Sequence, residues 1–195
     1  MVCLEATKNH LKKKTLFYKE RDEQARQRFL EELSQYSKDT IVYVDEAGVD
    51  KFLHREFGRA LRGQKVYGEI SGKRYSRESF IAGLCNGKVV APLCFDGACD
   101  TLLFNCWLEN YLIPELKSNQ VVVIDNASFH KSERTKLLME KANCKLLFLP
   151  PYSPDLNPIE KVWANLKAKI KSIANTFQTL SESIDYAFQR TSYAI

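Results

Sequence analysis

The sequence predicts an α/β domain whose mixed β-sheet, an antiparallel three-strand meander joined to parallel strands, is flanked by helices. Short apolar runs, which are typical of buried strands, occur at 41–44, 79–84, 88–95, 121–124 and 145–149. The dipeptide Asn86-Gly87 separates the second run from the third and indicates a tight antiparallel hairpin. Stretches of helical period separate the later runs, and this alternation favours parallel crossover connections.

The first part of the chain predicts a helical connector followed by a buried strand. Residues 1–38 are polar, strongly charged and free of Gly and Pro, which indicates one or two helices without a core of their own. The β-branched and aromatic run at 41–44 predicts a strand that ends at Asp45. Four glycines between 55 and 77, among basic residues, predict hairpins or loops.

The rest of the chain alternates helices with strands. Amphipathic periodicity predicts helices at 101–116, 132–142, 158–173 and 180–193. Pro114 is expected to distort the last turn of the first of these helices. We therefore divide the chain into a basic connector (1–38), one α/β domain (39–175) and a C-terminal helix that packs on the domain (176–195).

The charged residues are concentrated in two basic patches. The net charge is +5, and residues 1–28 and 161–171 each carry a local charge of +4, so the remaining chain is slightly acidic. Basic patches of this kind suit a phosphate backbone. A solvated helix face is the alternative, and the composition leaves both open.

Cysteine spacing and hydropathy argue against disulfide-framework, zinc-binding, membrane-spanning and secreted proteins. The six cysteines contain no C-x-x-C pair, which favours reduced thiols over a disulfide framework or a zinc site. No apolar run approaches the roughly 20 residues that cross a bilayer, and residues 1–8 lack the apolar core of a secretory signal. We therefore expect a cytoplasmic protein.

Three acidic residues stand where a metal site could form. Asp45 and Asp125 follow apolar runs, and Glu160 lies in the first turn of a predicted helix, with 34 residues between it and Asp125. Acids at neighbouring strand ends can share a metal, because adjacent strands lie about 4.8 Å apart. Phosphodiester cleavage by two metals needs several carboxylates around the ions. Mg²⁺ takes oxygen ligands and keeps its waters, so few protein carboxylates suffice. The three acids thus favour a metal-dependent hydrolase.

Each acid also has a purely structural interpretation. An aspartate at the end of a strand can cap the segment that follows. Asn157 is a good N-cap, Pro158 suits the first helical position, and Glu160 then completes a capping-box pattern. Asp45 followed by Glu-Ala-Gly is also compatible with a turn. Spacing alone leaves the two interpretations open.

Longer motifs around these acids are more specific than their spacing. They are Asp-Asn-Ala-Ser-Phe-His-Lys-Ser at 125–132 and Leu-Phe-Leu-Pro-Pro-Tyr-Ser-Pro-Asp-Leu-Asn-Pro-Ile-Glu-Lys-Val-Trp-Ala-Asn-Leu-Lys at 147–167. With Val-Asp-Glu-Ala-Gly-Val-Asp at 44–50 and the hairpin at 81–92, they resemble the DDE transposases of the mariner superfamily, in particular the bacterial insertion-sequence 630 branch. The resemblance covers roughly residues 15–173.

This resemblance implies a ribonuclease-H-like fold in which Asp45, Asp125 and Glu160 are both the catalytic acids and the metal ligands. It implies two Mg²⁺ ions, with Mn²⁺ as a substitute. The implied reaction is hydrolysis of DNA at a transposon end, followed by attack of the freed 3′-hydroxyl on target DNA at a TA dinucleotide. The implied partners are terminal inverted repeats in double-stranded DNA and a second copy of the chain in a synaptic complex. The implied location is the bacterial cytoplasm, at the nucleoid.

Further residues near the acids have expected roles. The expected DNA contacts are His130, Lys161, Lys167 and Lys171. For His130, ordering the loop of the second acid and a purely structural role remain open alternatives. Trp163 and Leu166 lie on one helix face and are predicted to be core residues. Glu46 is a reserve carboxylate.

The chain departs from the family pattern before its first acid. Only about 40 residues precede Asp45, too few for the paired helix-turn-helix modules of complete members. We therefore expect a separately encoded helix-turn-helix half. One alternative function is a catalytically incomplete transposase remnant that acts only as a nucleic-acid-binding or interaction module. A nuclease for RNA–DNA hybrids is a third hypothesis, which the Pro-Pro-Tyr-Ser-Pro motif at 150–154 does not favour.

Overall fold

A five-stranded mixed sheet forms the centre of the protein in a computed structural model that describes residues 18–50, 60–67 and 77–190. The strands lie in the order β3-β2-β1-β4-β5 across the sheet. Their bounds are β1 Ile41–Asp50, β2 Arg77–Cys85, β3 Lys88–Asp96, β4 Val121–Ile124 and β5 Lys145–Phe148.

Strand β1 lies in the middle of the sheet and joins its two halves. It pairs antiparallel with β2, and β2 pairs antiparallel with β3. Asn86 and Gly87 form the turn between β2 and β3, and both have the positive φ that such a hairpin requires. On its other edge β1 runs parallel to β4, which runs parallel to β5. The predicted meander with parallel strands is therefore confirmed.

Strand β1 is longer than the sequence analysis predicts. It does not end at Asp45 but continues to Asp50, because β2 pairs with it as far as the Asp50–Arg77 partners. The turn considered for Asp45 to Gly48 is therefore wrong. Asp45 lies inside β1, just beyond the level at which the shorter β4 ends.

Six helices are present in the described residues. Their bounds are α1 Glu23–Leu33, α2 Thr101–Trp107, α3 Ile113–Glu115, α4 Glu133–Lys141, α5 Ile159–Ile173 and α6 Leu180–Arg190. The helix predicted at 101–116 is interrupted, because a π-helical segment, Leu108–Leu112, separates α2 from α3. Pro114 follows this segment, and its nitrogen cannot donate the hydrogen bond of a regular turn.

The helices form a layer on each face of the sheet. On one face, α2, the π-helical segment and α4 pack on the sheet, and the core between them contains Val44 of β1 and Trp107 of α2. On the other face, α5 packs through Trp163 against Phe80 of β2, and α6 packs on α5. Helix α1 covers β4 and β5 on this second face through Phe29. Side chains of β1 therefore alternate between two separate cores, which decides the direction of each residue in the site.

Some sequence predictions fall on residues outside those described. They concern the start of the connector, most of the glycine-rich stretch and the last residues of the final helix, at 1–17, 51–59, 68–76 and 191–195. Within the described ranges, no helix has both the length and the hydropathy needed to span a membrane.

Candidate active site

Two aspartates lie side by side, Asp45 on β1 and Asp125 directly after the end of the parallel strand β4. In the register of β1 and β4, Tyr43 is opposite Val123, and two further residues place Asp45 opposite Asp125. Residues two apart on a strand point to the same face, and adjacent strands are about 4.8 Å apart. Asp45 and Asp125 are therefore neighbours on the face that α5 covers.

Glu160 reaches the same place from α5. The preceding residue, Ile159, is fully buried and fixes the start of the helix against the sheet. Glu160 is itself exposed, and with Asp45 and Asp125 it lines one open cleft of about 320 Å³. The structure thus brings the three acids of the sequence motif together around one cavity.

Asn157 connects the start of α5 to β1. Its Nδ2 donates a hydrogen bond to the backbone carbonyl of Val44, directly before Asp45, at 3.4 Å. The expected capping box is not formed, because α5 has no side-chain cap and the Glu160 N–H donates to the Asn157 carbonyl at 3.2 Å. The hydrogen bond from Asn157 to β1, rather than a helix cap, therefore holds the start of α5 and Glu160 near the sheet.

Asp45 is a carboxylate in a negative, largely apolar environment. Its Oδ2 accepts a hydrogen bond from Trp163 Nε1–H at 3.0 Å. Burial, followed by the negative charges of Glu160 and Glu46, raises the pKa of Asp45 to about 7, even though the Trp163 hydrogen bond lowers it. Without a nearby cation, ionised Asp45 is therefore unfavourable in the folded protein.

Asp125 has the opposite environment. Its Oδ1 accepts hydrogen bonds from the Ala127 N–H at 3.0 Å and from His130 Nδ1–H at 2.7 Å. Burial opposes ionisation of Asp125, but the hydrogen bonds from His130 and Ala127 outweigh it and hold the pKa of this carboxyl below its usual value.

The imidazole of His130 lies between two carboxylates. Its second ring nitrogen, Nε2, donates to Glu46 Oε1 at 2.9 Å. Burial lowers the pKa of His130, but the hydrogen bonds to Asp125 and Glu46 outweigh this effect and raise the pKa to about 9. At neutral pH the ring is therefore a buried cation shared by Asp125 and Glu46.

The oxygen atoms of the cleft suit a divalent metal ion. Three carboxylates line the cleft, and Oδ1 of buried Asn157, which also lines it, has no hydrogen-bond partner among the described residues. A bound cation would relieve both this buried acceptor and the charge of Asp45. No three His, Cys, Asp or Glu side chains in the described ranges are close enough to hold a metal unaided. The donors therefore fit Mg²⁺ or Mn²⁺, whose remaining positions are filled by water or phosphate oxygens.

The residues expected to contact DNA occupy different environments. Lys161 and Lys171 are exposed on α5, and Lys167 is partly buried. By helical geometry Lys167 and Lys171 lie on the same side of α5 as Glu160, whereas Lys161 points about a quarter turn away. His130 has no exposed surface, and both of its ring nitrogens are engaged by carboxylates.

Sequence reasoning identified the acids but not the groups that hold them. Trp163 and Leu166 are buried as predicted. Helical periodicity predicts only that burial, and it gives no indication of the hydrogen bond from Trp163 to Asp45. The position of Glu46 on a strand does carry a signal. Because neighbours on a strand face opposite sides, Glu46 had to lie on the face away from Asp45, where His130 meets it.

Comparison with known families and sequences gives consistent results. The family model described as DDE superfamily endonuclease matches residues 40–183. The Tcb1 transposase of Caenorhabditis briggsae is 32% identical over 81 residues, which are 40% of this chain and 30% of that protein. The curated relatives are matched over only about a third of their own length.

Solved structures share the fold. The crystal structure of the Mos1 strand transfer complex gives a TM-score of 0.72 at 18% identity, covering 96% of this chain and 60% of that one. The mariner Mos1 paired end complex with Mg gives 0.70 at 17% identity, covering 96% and 62%. Together with the sheet order, these likenesses confirm the ribonuclease-H-like fold that the sequence predicts.

Proposed function

The chain belongs to the DDE superfamily endonuclease family, and from this premise we propose that it is the catalytic domain of a transposase, which cleaves DNA and transfers the cleaved strand. The observation that carries the proposal is the placement of Asp45, Asp125 and Glu160 around one cleft. These are the acids of the Asp-Asp-Glu motif, and they would be both catalytic and metal-binding. Similarity to the Tcb1 transposase and to the Mos1 strand transfer complex supports strand transfer as the reaction.

The carboxylates of the cleft would hold divalent cations. We propose two Mg²⁺ ions, replaceable by Mn²⁺, which Asp45, Asp125 and Glu160 would hold together. Mos1 complexes have been described with Mg and with Mn, which supports this class of metal. In such sites one ion activates the attacking oxygen and the other stabilises the leaving oxygen.

The protein's own side chains fix the acids before DNA arrives. Trp163 binds one oxygen of Asp45, and His130 with the Ala127 N–H binds one oxygen of Asp125. For Asp125, Oδ2 accepts no hydrogen bond from the described residues and stays available to the cleft. The hydrogen bond from Asn157 to the Val44 carbonyl holds the start of α5 beside β1, one residue before Asp45. Such prior positioning reduces the reorganisation needed during in-line displacement at phosphorus.

A basic track on α5 would carry the DNA backbone away from the acids. Lys167 and Lys171 lie about two and three helical turns beyond Glu160 on the same side, that is about 10 Å and 16 Å along the helix axis. Lys161 at the helix start would add a contact beside the cleft. We propose that these lysines bind phosphates, with terminal inverted repeats and a TA target as the DNA. A homodimer would join two transposon ends, together with a separately encoded helix-turn-helix half.

We also propose the division into a connector (1–38), a catalytic domain (39–175) and a C-terminal helix (176–195). The family match at 40–183 overlaps the central part and enters α6. Helix α1 contributes Phe29 to the core, so the end of the connector would stabilise the catalytic domain. The place of action would be the bacterial cytoplasm, at the nucleoid.

A plasmid-nicking assay tests the proposal. We expect the purified chain to nick supercoiled DNA with Mn²⁺. Asp125→Asn or Glu160→Gln should lower the nicking rate by at least about 10³-fold, because removing one member of a set of cooperating catalytic groups removes most of their joint effect. Asp96→Asn is the matched control, since Asp96 is an exposed carboxylate at the end of β3. Nicking that persists in both cleft variants would contradict the site assignment.

A second outcome would favour the remnant hypothesis. If the wild-type chain nicks no DNA, even with a helix-turn-helix half supplied in trans and DNA bearing the inverted repeats that flank its gene, it is a nucleic-acid-binding or interaction module. Binding of Mn²⁺ without nicking would then place the failure in complex assembly rather than in the cleft.

A further inference from the structure

We propose that His130 is a positioning residue for the reaction, which with Glu46 holds the Asp125 carboxylate so that only its Oδ2 faces the metal cleft. The inference rests on the proposed function, because it assigns Asp125 to metal binding. It also gives Glu46 a defined task outside the Asp-Asp-Glu triad, as the partner that orients the histidine.

The hydrogen bonds to Asp125 divide its two oxygens between two tasks. Oδ1 accepts from the Ala127 N–H at 3.0 Å and from His130 Nδ1–H at 2.7 Å. Among the described residues nothing donates to Oδ2. Since both donors act on Oδ1, rotation of the carboxylate would break both contacts. Asp125 is therefore held with one oxygen in the protein and the other in the cleft.

The His130 ring is fixed by packing as well as by hydrogen bonds. It is fully buried, with its centroid 4.4 Å from that of Phe104 and 4.0 Å from that of Phe129. Its backbone N–H donates to the Ala127 carbonyl at 3.3 Å within the short 3₁₀ segment Ser128–Lys131. The ring therefore has little freedom to turn away from Asp125.

Glu46 completes this arrangement from the opposite face of β1. As the neighbour of Asp45 on a strand, Glu46 points away from the cleft, and it lines a separate depression with Ala47 and Phe129. Its Oε1 accepts from His130 Nε2–H at 2.9 Å, and its side chain is 17% exposed. Both ring nitrogens thus end on carboxylates, and the order Glu46–His130–Asp125 crosses from one face of the sheet to the metal cleft.

Residues that orient metal ligands typically change metal affinity by 10- to 100-fold when they are removed. If His130 served stability alone, its substitution would change folding but leave the affinity of the folded protein for metal unchanged. The distinguishing quantity is therefore the dissociation constant for Mn²⁺ in the absence of DNA. It can be measured on the full chain by electron paramagnetic resonance of the free ion, and it requires no activity.

Two substitutions of His130 separate its two hydrogen bonds. In His130→Asn, the side-chain amide nitrogen takes the place of Nδ1 and can still donate to Asp125. In His130→Gln, the amide lies near the place of Nε2 and reaches Glu46 instead. We expect His130→Ala and His130→Gln to weaken Mn²⁺ binding by about 10- to 100-fold, and His130→Asn to stay within about threefold of wild type. Thermal unfolding of each variant shows that the compared proteins are folded.

Equal Mn²⁺ affinity in wild type, His130→Gln and His130→Asn would overturn the inference and leave a structural histidine. If His130→Ala does not fold, the Gln and Asn pair decides the question, because both keep a polar side chain at this position. A wild-type chain that binds no Mn²⁺ would overturn the proposed metal site itself, and the inference with it. The two failures are thus distinguishable in one titration series.

Discussion

Asp45 on β1 and Asp125, directly after the parallel strand β4, lie at the same level of the sheet, yet their charge environments are opposite. Burial and the negative charges of Glu160 and Glu46 raise the pKa of Asp45 to about 7, and the hydrogen bond from the neutral donor Trp163 offsets them only in part. Asp125 is held by His130, whose pKa of about 9 makes it a cation, and the pKa of Asp125 is lowered. Asp125 is thus paired with a cation, whereas no cation among the described residues is paired with Asp45.

The difference suggests which acid depends more on a bound ion. At a pH above the pKa of Asp45, ionisation of this residue lowers the free energy of unfolding, because burial and two like charges disfavour the charged carboxylate. A divalent cation in the cleft would relieve this cost. Asp125 is ionised in advance by its pairing with His130. Part of the free energy of metal binding would therefore come from removing the unfavourable electrostatic energy of ionised Asp45.

The largest expected difference is in stability without metal. At about pH 8 in a chelator, Asp125→Asn should lower the free energy of unfolding by about 1–3 kcal/mol, because it removes a charge-assisted hydrogen bond and leaves His130 partly unpaired. Asp45→Asn should leave this free energy unchanged or raise it, because it removes a buried like charge while Trp163 keeps an acceptor. Denaturant unfolding measures both. Equal destabilisation by the two substitutions would remove the contrast.

A smaller effect tests the neutral donor of Asp45. Trp163→Phe keeps the aromatic packing on Phe80 but removes the Nε1–H, so we expect Mn²⁺ affinity to fall about tenfold. Trp107→Phe is the matched control, because Trp107 is also fully buried and donates from Nε1 to the Ala91 carbonyl at 2.8 Å in the other core. Both variants should lose about 1 kcal/mol of stability. Wild-type Mn²⁺ affinity in Trp163→Phe would show that Asp45 needs no such donor.

The smallest expected effect comes from a change that touches neither aspartate. Alanine at Lys167 and Lys171 should leave Mn²⁺ binding unchanged and reduce the salt dependence of DNA binding by about one unit of slope for each lysine. Lys136→Ala on α4 is the control, because Lys136 is exposed and paired with Glu133. Fluorescence anisotropy at several salt concentrations gives the slopes. An unchanged slope would identify the lysines as solvated charges.

The strands and helices were largely predictable because local patterns determine them. The hairpin at Asn86-Gly87 and the strand at 121–124 follow from turn chemistry and from an uninterrupted apolar run. The length of β1 was not predictable, because its second half, Asp45 to Asp50, is held by pairing with β2 rather than by its own composition. The π-helical segment before Pro114 was foreseen only as a distortion.

The candidate site divides in the same way. Its acids could be named from the motifs around Asp45, Asp125 and Glu160, since these residues carry their own chemistry. Their supports could not be named, because Trp163 and Asn157 had satisfactory local roles as a core residue and a helix cap. The structure gives each of them a partner on β1, Asp45 and the Val44 carbonyl, more than a hundred residues away in the chain.

By itself the sequence determined the order of elements, the hydrophobic faces and the identity of three carboxylates. These properties depend on neighbouring residues, through periodicity, turn residues and side-chain chemistry. Only the tertiary structure decided that β1 and β4 align Asp45 with Asp125 and that His130 lies between Asp125 and Glu46. Charge environments depend on distances between residues remote in the chain. Two aspartates that read alike in sequence therefore acquire opposite pKa shifts only after folding.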